Sequence, residues 1–545
     1  MTALLAACMP HLVVAPILLP MLTAAAMLLL GEGRRRLEVA LGMSCIAAGL
    51  ATSVALLWWT SARGTVTYVP GAWPASVGIA VVADRLAALM LVLAWTLGAC
   101  ALVYGAARWQ RAGVHFHPLL QLEVMGLSGA FLAGDLFNLF VFFEILLAAS
   151  YGLLLHGSGR SRIVSGLRYV AVNLAASSLF LIGAALLYGV TGTLNMAALS
   201  EHMARVAAQD RGLLHAAAAI LAVAFLAKAA AWPINFWLVP AYSAATAPAA
   251  AMFAILTRVG VYALLRTSTL LSSGGALTPL GGDALLWFGT LTAALAALGM
   301  LGTHRLGHQA GLSVIVSAGT LLAAVGLGRE AVTGGALFYL ASSALSGSAL
   351  FLLVDVIERW RNAGVTVEEP APYLTRALEE RDVNLDDEEE PLVGVPFPAS
   401  TAVLGLAYLA CTLLVAGLPP LSSFVGKVAM LSGAVGGAGS ERAVPGRAWV
   451  FLALLLGTGL LSLVAMLRSG IRTFWSGAGR APARIRLAEG LPVLALLWAC
   501  LGLTVTAGPV TRYTLATARA LHAPREHVRV LGGGVGAPPQ GRATR

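Results

Sequence analysis

Apolar stretches of about twenty residues, each long enough to cross a bilayer, recur from one end of the chain to the other, separated by short arginine-bearing connections. About fourteen can be read, centred near residues 20, 48, 93, 125, 145, 177, 222, 257, 294, 318, 343, 408, 457 and 500. Numbered in order as spans 1 to 14, they predict an all-α, polytopic membrane protein. Composition agrees: 59% of the 545 residues are hydrophobic, 11% are charged and mean hydropathy is +0.84. Soluble domains are nearer half apolar and a quarter charged. The first span lacks a basic leader and a small-residue cleavage site and is followed by GEGRRR, so it reads as a retained helix and not a signal peptide.

Charge then orients the pattern. Eighteen arginines lie in loops after odd-numbered spans and seven in loops after even-numbered ones. By the positive-inside bias the odd loops face the cytoplasm and both termini lie on the other side, as for a multi-pass protein of a bacterial inner membrane. The net charge of +10 therefore reports topology, and no soluble basic domain exists to hold nucleic acid. Cys8, Cys45, Cys100, Cys411 and Cys500 are scattered through apolar segments without a C-x-x-C pair, so no metal site and no cofactor is expected. The stretches GGAGSER and LGGGVGAPPQG lack the preceding strand and following helix of a nucleotide-binding loop. Between spans 11 and 12, residues 360–397 gather ten of the 25 carboxylates and read as a solvated cytoplasmic linker; the alternative is an antenna for cations or a docking segment. Span 14 is placed at 488–511, and 512–545 read as a loosely ordered polar tail.

An ionisable group inside a span is a functional candidate by default. The candidates are Asp84, Arg85, Glu123, Asp135, Glu144, Lys228, Arg258, Asp355 and Lys427. Asp84 and Arg85 read as an adjacent snorkelling pair, and Asp355, with Glu358 and Arg359, as the exit of span 11 into the cytoplasm. Asp135, in GDLFNLF, reads as a helix N-cap assisted by Asn138. Glu144 lies in FVFFEILLAASY, half a turn out of phase with Asp135, and needs a partner from another helix. Lys228 is the expected one.

Only two of the 35 basic residues are lysines, Lys228 and Lys427. Arginine stays protonated in proteins, whereas a desolvated lysine can release its proton near neutrality. Both lysines also neighbour helix breaks: Pro233 follows Lys228, and Pro419 and Pro420 precede Lys427. Prolines inside spans free backbone groups that must face protein or water. Interrupted segments in both halves point to a transporter built of repeats, here 118–267 and 285–470 after an N-terminal 1–117.

Four stretches carry a family resemblance: GDLFNLFVFFEILLAASYGLLLHG, LRYVAVNLAASSLFLIGAALLYGVTGTLNMAALS, FLAKAAAWPINFWLVPAYSAATAPAAAMFAILTRVGVYALLR and AGLPPLSSFVGKVAML. They resemble the antiporter-like subunits shared by Mrp-type cation/proton antiporters and respiratory complex I, most closely the Mrp D-type subunits. The resemblance covers nearly all fourteen spans. It implies two inverted five-helix repeats and a proton relay in which Glu144 pairs with Lys228 on broken span 7, and Lys427 on broken span 12 ends a half-channel. It also implies partners, the A, B, C, E, F and G-type subunits of an antiporter, with protons and Na+ or K+ as the exchanged ions. Where relatives carry a bridging lysine or histidine on span 8, this chain has Arg258; Asn235 and Tyr242 replace histidines, and serine and glycine fill SSALSGSALFLL. These departures favour a D-type subunit. The alternatives are a membrane-arm subunit of a complex I-like or hydrogenase-type oxidoreductase, and a stand-alone secondary carrier.

Overall fold

The computed structural model describes residues 11–31, 34–72, 79–273, 282–363, 398–436, 445–474, 483 and 485–523. Its helices are α1 (Ala15–Leu30), α2 (Arg35–Arg63), α3 (Arg85–Ala107), α4 (Phe116–Leu132), α5 (Leu136–Leu155), α6 (Arg160–Thr191), α7 (Met196–Ala204), α8 (Arg211–Lys228) and α9 (Leu238–Ala244). They continue as α10 (Ala247–Ser273), α11 (Gly282–Gly302), α12 (Leu306–Gly326), α13 (Glu330–Ala363), α14 (Ala399–Ala416), α15 (Ser422–Val435), α16 (Gly446–Phe474), α17 (Leu487–Val505) and α18 (Ala507–His522). A two-stranded antiparallel hairpin, β1 (Val66–Tyr68) and β2 (Val81–Ala83), links α2 to α3. Twelve helices are long and apolar enough to cross a membrane, and α1 and α15 are shorter apolar helices. Each of the fourteen predicted centres falls inside a helix. The protein is an all-α integral membrane fold.

Burial sorts the helices by depth. The most apolar window of α10 is buried throughout, as is that of α13, whereas α2, α6, α14 and α17 present faces of exposed Leu, Val and Trp such as Leu167, Leu406, Leu491 and Trp498. With lipid around the bundle, polar groups are tolerated only where protein can satisfy them. The two central helices accordingly carry a large share of the buried hydroxyls, and α10 carries the buried Arg258 and Arg266.

The turn before α5 is locked from both sides. Asp135 adopts extended backbone, and its Oδ1 accepts from the Asn138 backbone N–H at 2.6 Å. Asn195 does the same for α7, accepting from the backbone of Ala197 and Ala198. The two turns are joined by Leu136 N–H to Leu194 O at 3.0 Å and Met196 N–H to Gly134 O at 3.1 Å. This fixes the start, and therefore the rotation, of the helix that carries Glu144.

Three expectations are corrected. Asp84 and Arg85 are not a snorkelling pair: Asp84 caps α3 and takes a two-pronged ion pair from Arg266 of α10, while Arg85 donates to Thr60 O and Ser61 O. Arg266 also donates to Tyr262 Oη at 2.9 Å, and Asp84 joins the start of α3 to α10 through a buried guanidinium. Asp355 is not merely an exit charge, because it ties α13 to Tyr104 of α3. The last span ends at Val505 and not at 511, and Ala507–His522, with 512–522 expected to be tail, form helix α18. Its buried side is Thr514, Thr517, Ala518 and Leu521, and it docks through Arg519 to Glu330 at 2.9 Å and Tyr513 to Arg85 O at 2.7 Å. Of the acidic linker only 360–363 are described, as the end of α13; 364–397, GGAGSER after its first glycine, LGGGVGAPPQG and Cys8 lie outside the described residues.

Candidate functional site

The first break begins at Lys228 itself, the last residue of α8. Ala230 then takes a left-handed conformation with φ 54°, which costs a non-glycine residue roughly 1 kcal/mol or more. The chain runs through Pro233 and a short 3-10 turn, Ile234–Trp237, into α9. The freed Trp232 N–H is satisfied by Thr292 Oγ1 of α11 at 2.9 Å. Gly260 of α10 lets this break sit against the central helix, since a Cβ there would come within 2.5 Å of Ala229 N and 2.9 Å of the Lys228 carbonyl carbon.

Lys228 is buried, donates to Ser177 Oγ of α6 at 3.0 Å and lies 5.7 Å above the Phe143 ring. Among the described residues no ion pair joins it to Glu144. Glu144 is half-buried at the position after Phe143 on α5, with Oε1 unpartnered. A cavity of about 20 Å³ adjoins Lys228, lined by Tyr169, Asn173, Trp237 and Gly260 among others, room for one water.

The second break is built to the same plan. Helix α14 ends at Ala416; Gly417, at φ 73°, turns the chain, its N–H and that of Leu418 both returning to Leu413 O. Pro419 and Pro420 follow, and α15 starts at Ser422. Lys427, one turn into α15, reaches back to donate to Ala416 O at 2.7 Å. A Cβ on Gly417 would stand 2.7 Å from the lysine Nζ, so glycine both makes the turn and leaves room for the cation. Ser342 Oγ of α13 contacts both Ser422 Oγ at 2.7 Å and Ser423 Oγ at 2.8 Å beside it. The Lys427 ammonium thus lies at the C-terminal end of α14, where the backbone dipole favours a cation, Lys228 is the last residue of α8, and each ammonium has a neutral oxygen, not a carboxylate, as its bonded partner.

Arg258 stands between them on α10. It is fully buried and donates to Ala254 O at 2.7 Å, Thr257 Oγ1 at 2.8 Å, Ser317 Oγ of α12 at 2.6 Å and Ser343 of α13 through both its carbonyl at 3.3 Å and its hydroxyl at 3.4 Å. A cavity of about 10 Å³ adjoins it, walled partly by Ser313, Ser346 and Gly347. The residues that sequence reasoning did not single out are these hydroxyls, together with Ser177. Spacing alone gives no sign of them, because nearly all belong to a different helix from the cation they serve. Glu123 of α4 was a candidate without a role; it is fully buried with both oxygens unpartnered. Among the described residues no group of three His, Cys, Asp or Glu is placed to hold a metal ion.

Comparison with known proteins gives concordant results. The model of the NADH:quinone oxidoreductase/Mrp antiporter transmembrane family matches residues 133–369. The chain is 48% identical to the D-type component of a probable K+/H+ antiporter of Rhizobium meliloti, over 95% of this chain and 96% of that protein. It is 30% identical to the D-type component of the Na+/H+ antiporter of Bacillus subtilis, over 96% and 99% respectively. In three dimensions it superposes on a chain of the Mrp complex from Dietzia sp. with a TM-score of 0.78 at 25% identity, covering 96% of this chain and 99% of the other. The chain therefore belongs to the family of D-type Mrp antiporter subunits.

Proposed function

We propose that this chain is the proton-conducting D-type subunit of a multisubunit monovalent cation/proton antiporter, exchanging protons for Na+ or K+ in a bacterial inner membrane. It works beside A, B, C, E, F and G-type subunits, with both termini outside the cytoplasm. Helices from 118 to 267 form one repeat and those from 285 to 470 the second. The observation that carries this reading is the pair of buried lysines, each beside a helix break and each bonded to a neutral oxygen. An ammonium held that way can be neutralised without stranding a buried carboxylate, so protonated and neutral forms are both accessible.

Glu144 is the switch partner of Lys228. With Phe143 beneath the ammonium and no direct ion pair, the two groups couple through the field, and a proton on one alters the readiness of the other to ionise. The small cavity beside Lys228 offers room for a bridging water. Arg258, permanently charged, biases the passage between the lysines and carries no proton itself. Lys427 is the terminal exchange site of the second half. Asp135 serves as the helix cap that orients α5, and Asn138 contributes to it only its backbone N–H.

The test is cation-driven proton movement in vesicles holding the whole complex. Glu144→Gln and Lys228→Ala are each expected to abolish exchange while the complex assembles; an assembled variant of either kind with normal exchange would overturn the assignment.

A further inference from the structure

A cavity of about 730 Å³ opens between the C-terminal ends of α3 and α13 and the N-terminal ends of α14 and α17. Its size is that of a small-molecule site, about 300–1,000 Å³. Its walls, among them Val103, Leu353, Val403 and Leu494, are apolar except for Ser400, Arg486 and Glu489.

Those charged groups are unusual in their bonding. Glu489 is 1% exposed; its Oε1 accepts from Arg359 at 3.1 Å and its Oε2 has no partner. Arg359 is shared, because it also donates to Asp355 Oδ2 at 3.1 Å, and Tyr104, which donates to the same oxygen at 2.6 Å, is neutral. Asp355 and Glu489 share Arg359, and Glu489 Oε2 is left as a buried carboxylate oxygen without a bonded partner at the cavity wall. Burying it alone is costly, and a ligand cation resolves the cost. On the rim, Arg486 heads α17, whose first N–H groups have no side-chain cap. An arginine at an uncapped helix N-terminus suits an anion. Arg486 and Glu489 are three residues apart, about 4.5 Å of helix rise.

We propose that this crevice is a binding site for an aminophospholipid. Its primary ammonium bonds Glu489 Oε2, its phosphate meets Arg486 and the head of α17, and an acyl chain lies along Val103, Val403 and Leu494. The two-carbon link between phosphate and amine in such a headgroup matches the short step from Arg486 to Glu489. A quaternary amine has no hydrogen to donate, and a glycerol headgroup has no positive charge, so both are poorer ligands. A free phosphate would leave the carboxylate and the apolar wall unserved.

Full-length protein purified in mild detergent is examined by native mass spectrometry and by thermal stabilisation with phosphatidylethanolamine, phosphatidylcholine or phosphatidylglycerol. The expected result is retained aminophospholipid and roughly tenfold tighter binding of phosphatidylethanolamine than of phosphatidylcholine, the effect of one charge-assisted hydrogen bond. Glu489→Gln should erase that preference. Val403→Trp, which fills the crevice and keeps the carboxylate, should lose retained lipid of every headgroup. Equal binding of the ethanolamine and choline lipids by the unmodified chain overturns the proposal. So does lipid retention unchanged in Val403→Trp, or a cross-linker at position 403 in the whole complex that captures a neighbouring protein in place of lipid.

Discussion

A guanidinium in the middle of a membrane protein has five N–H groups to place, and the two terminal nitrogens of Arg258 find acceptors in Ala254 O, Thr257, Ser317 and Ser343, while Nε has none. Lysine could serve one or two of these groups but cannot reach in two directions from a planar fork. Arg258→Lys should keep the charge and most of the exchange activity while lowering stability. Ser317→Ala removes a 2.6 Å bond to a charged group and should cost about 1.5–3 kcal/mol. Thermal unfolding of the purified chain measures both, and an unchanged midpoint in Ser317→Ala would show that the bond adds nothing. The sequence offered the arginine on α10 and the serines of SSALSGSALFLL as two separate departures from relatives. They are one adaptation, because Ser343 accepts from Arg258. That link is illegible in the sequence, since contact between residues 85 apart depends on how α10 packs on α13. The lysines are legible for a different reason: two among 35 basic residues is a compositional signal that survives without any structure. Their bonded partners, Ser177 and Ala416, are not.

At the scale of elements, apolar length located the fourteen spans and proline located both interruptions, because each is a local property of the chain. The geometry of the breaks is not local. Gly260 shows this, since the room it leaves belongs to the backbone of Ala229 and Lys228. Gly260→Ala places a methyl against rigid backbone, an overpacking that costs about 1–3 kcal/mol, and should displace the end of α8 so that exchange falls along with stability. Gly189→Ala, facing open space on α6, should be neutral or slightly stabilising. Similar losses in both variants, read by unfolding and by exchange in vesicles, would contradict the role given to Gly260.

Helix α18 escapes sequence reading because its apolar side is short and its mean composition is polar; only after α13 and α3 are assembled does it have a surface to cover. Burial holds the His522 imidazole below its ordinary value of 6.5, with Glu330 opposing, and its Nε2 lies 3.0 Å from Thr333 Oγ1. The docked helix thus favours neutral histidine, so docking is fully stable above about pH 6.5 and weakens as the pH falls below it. Protection factors across Ala507–His522, that is, exchange rates divided into the intrinsic base-catalysed rates at each pH, should be lower at pH 5 than at pH 8 and lose that dependence in His522→Gln. Equal protection at the two pH values would show that histidine does not govern the contact.

In the whole molecule, each of the two helix breaks carries a buried lysine, and the central helix α10 carries the buried Arg258. Every step of the proposed route depends on a lysine that can stand neutral, and Lys427 isolates that requirement best. Its ammonium meets a backbone carbonyl in a space shaped by Gly417 and Gly459, and arginine would keep the charge and the length while forfeiting the neutral form. The most direct measurement is the dissipation of a pH gradient on adding Na+ or K+ to vesicles that contain the complete complex, with Lys427→Arg compared at matched assembly. The account predicts severe loss in Lys427→Arg and partial activity in Lys427→Glu, whose carboxyl group can again alternate between charged and neutral. Wild-type rates in Lys427→Arg would contradict it, because a fixed charge would then be sufficient at the site where a proton is said to be exchanged.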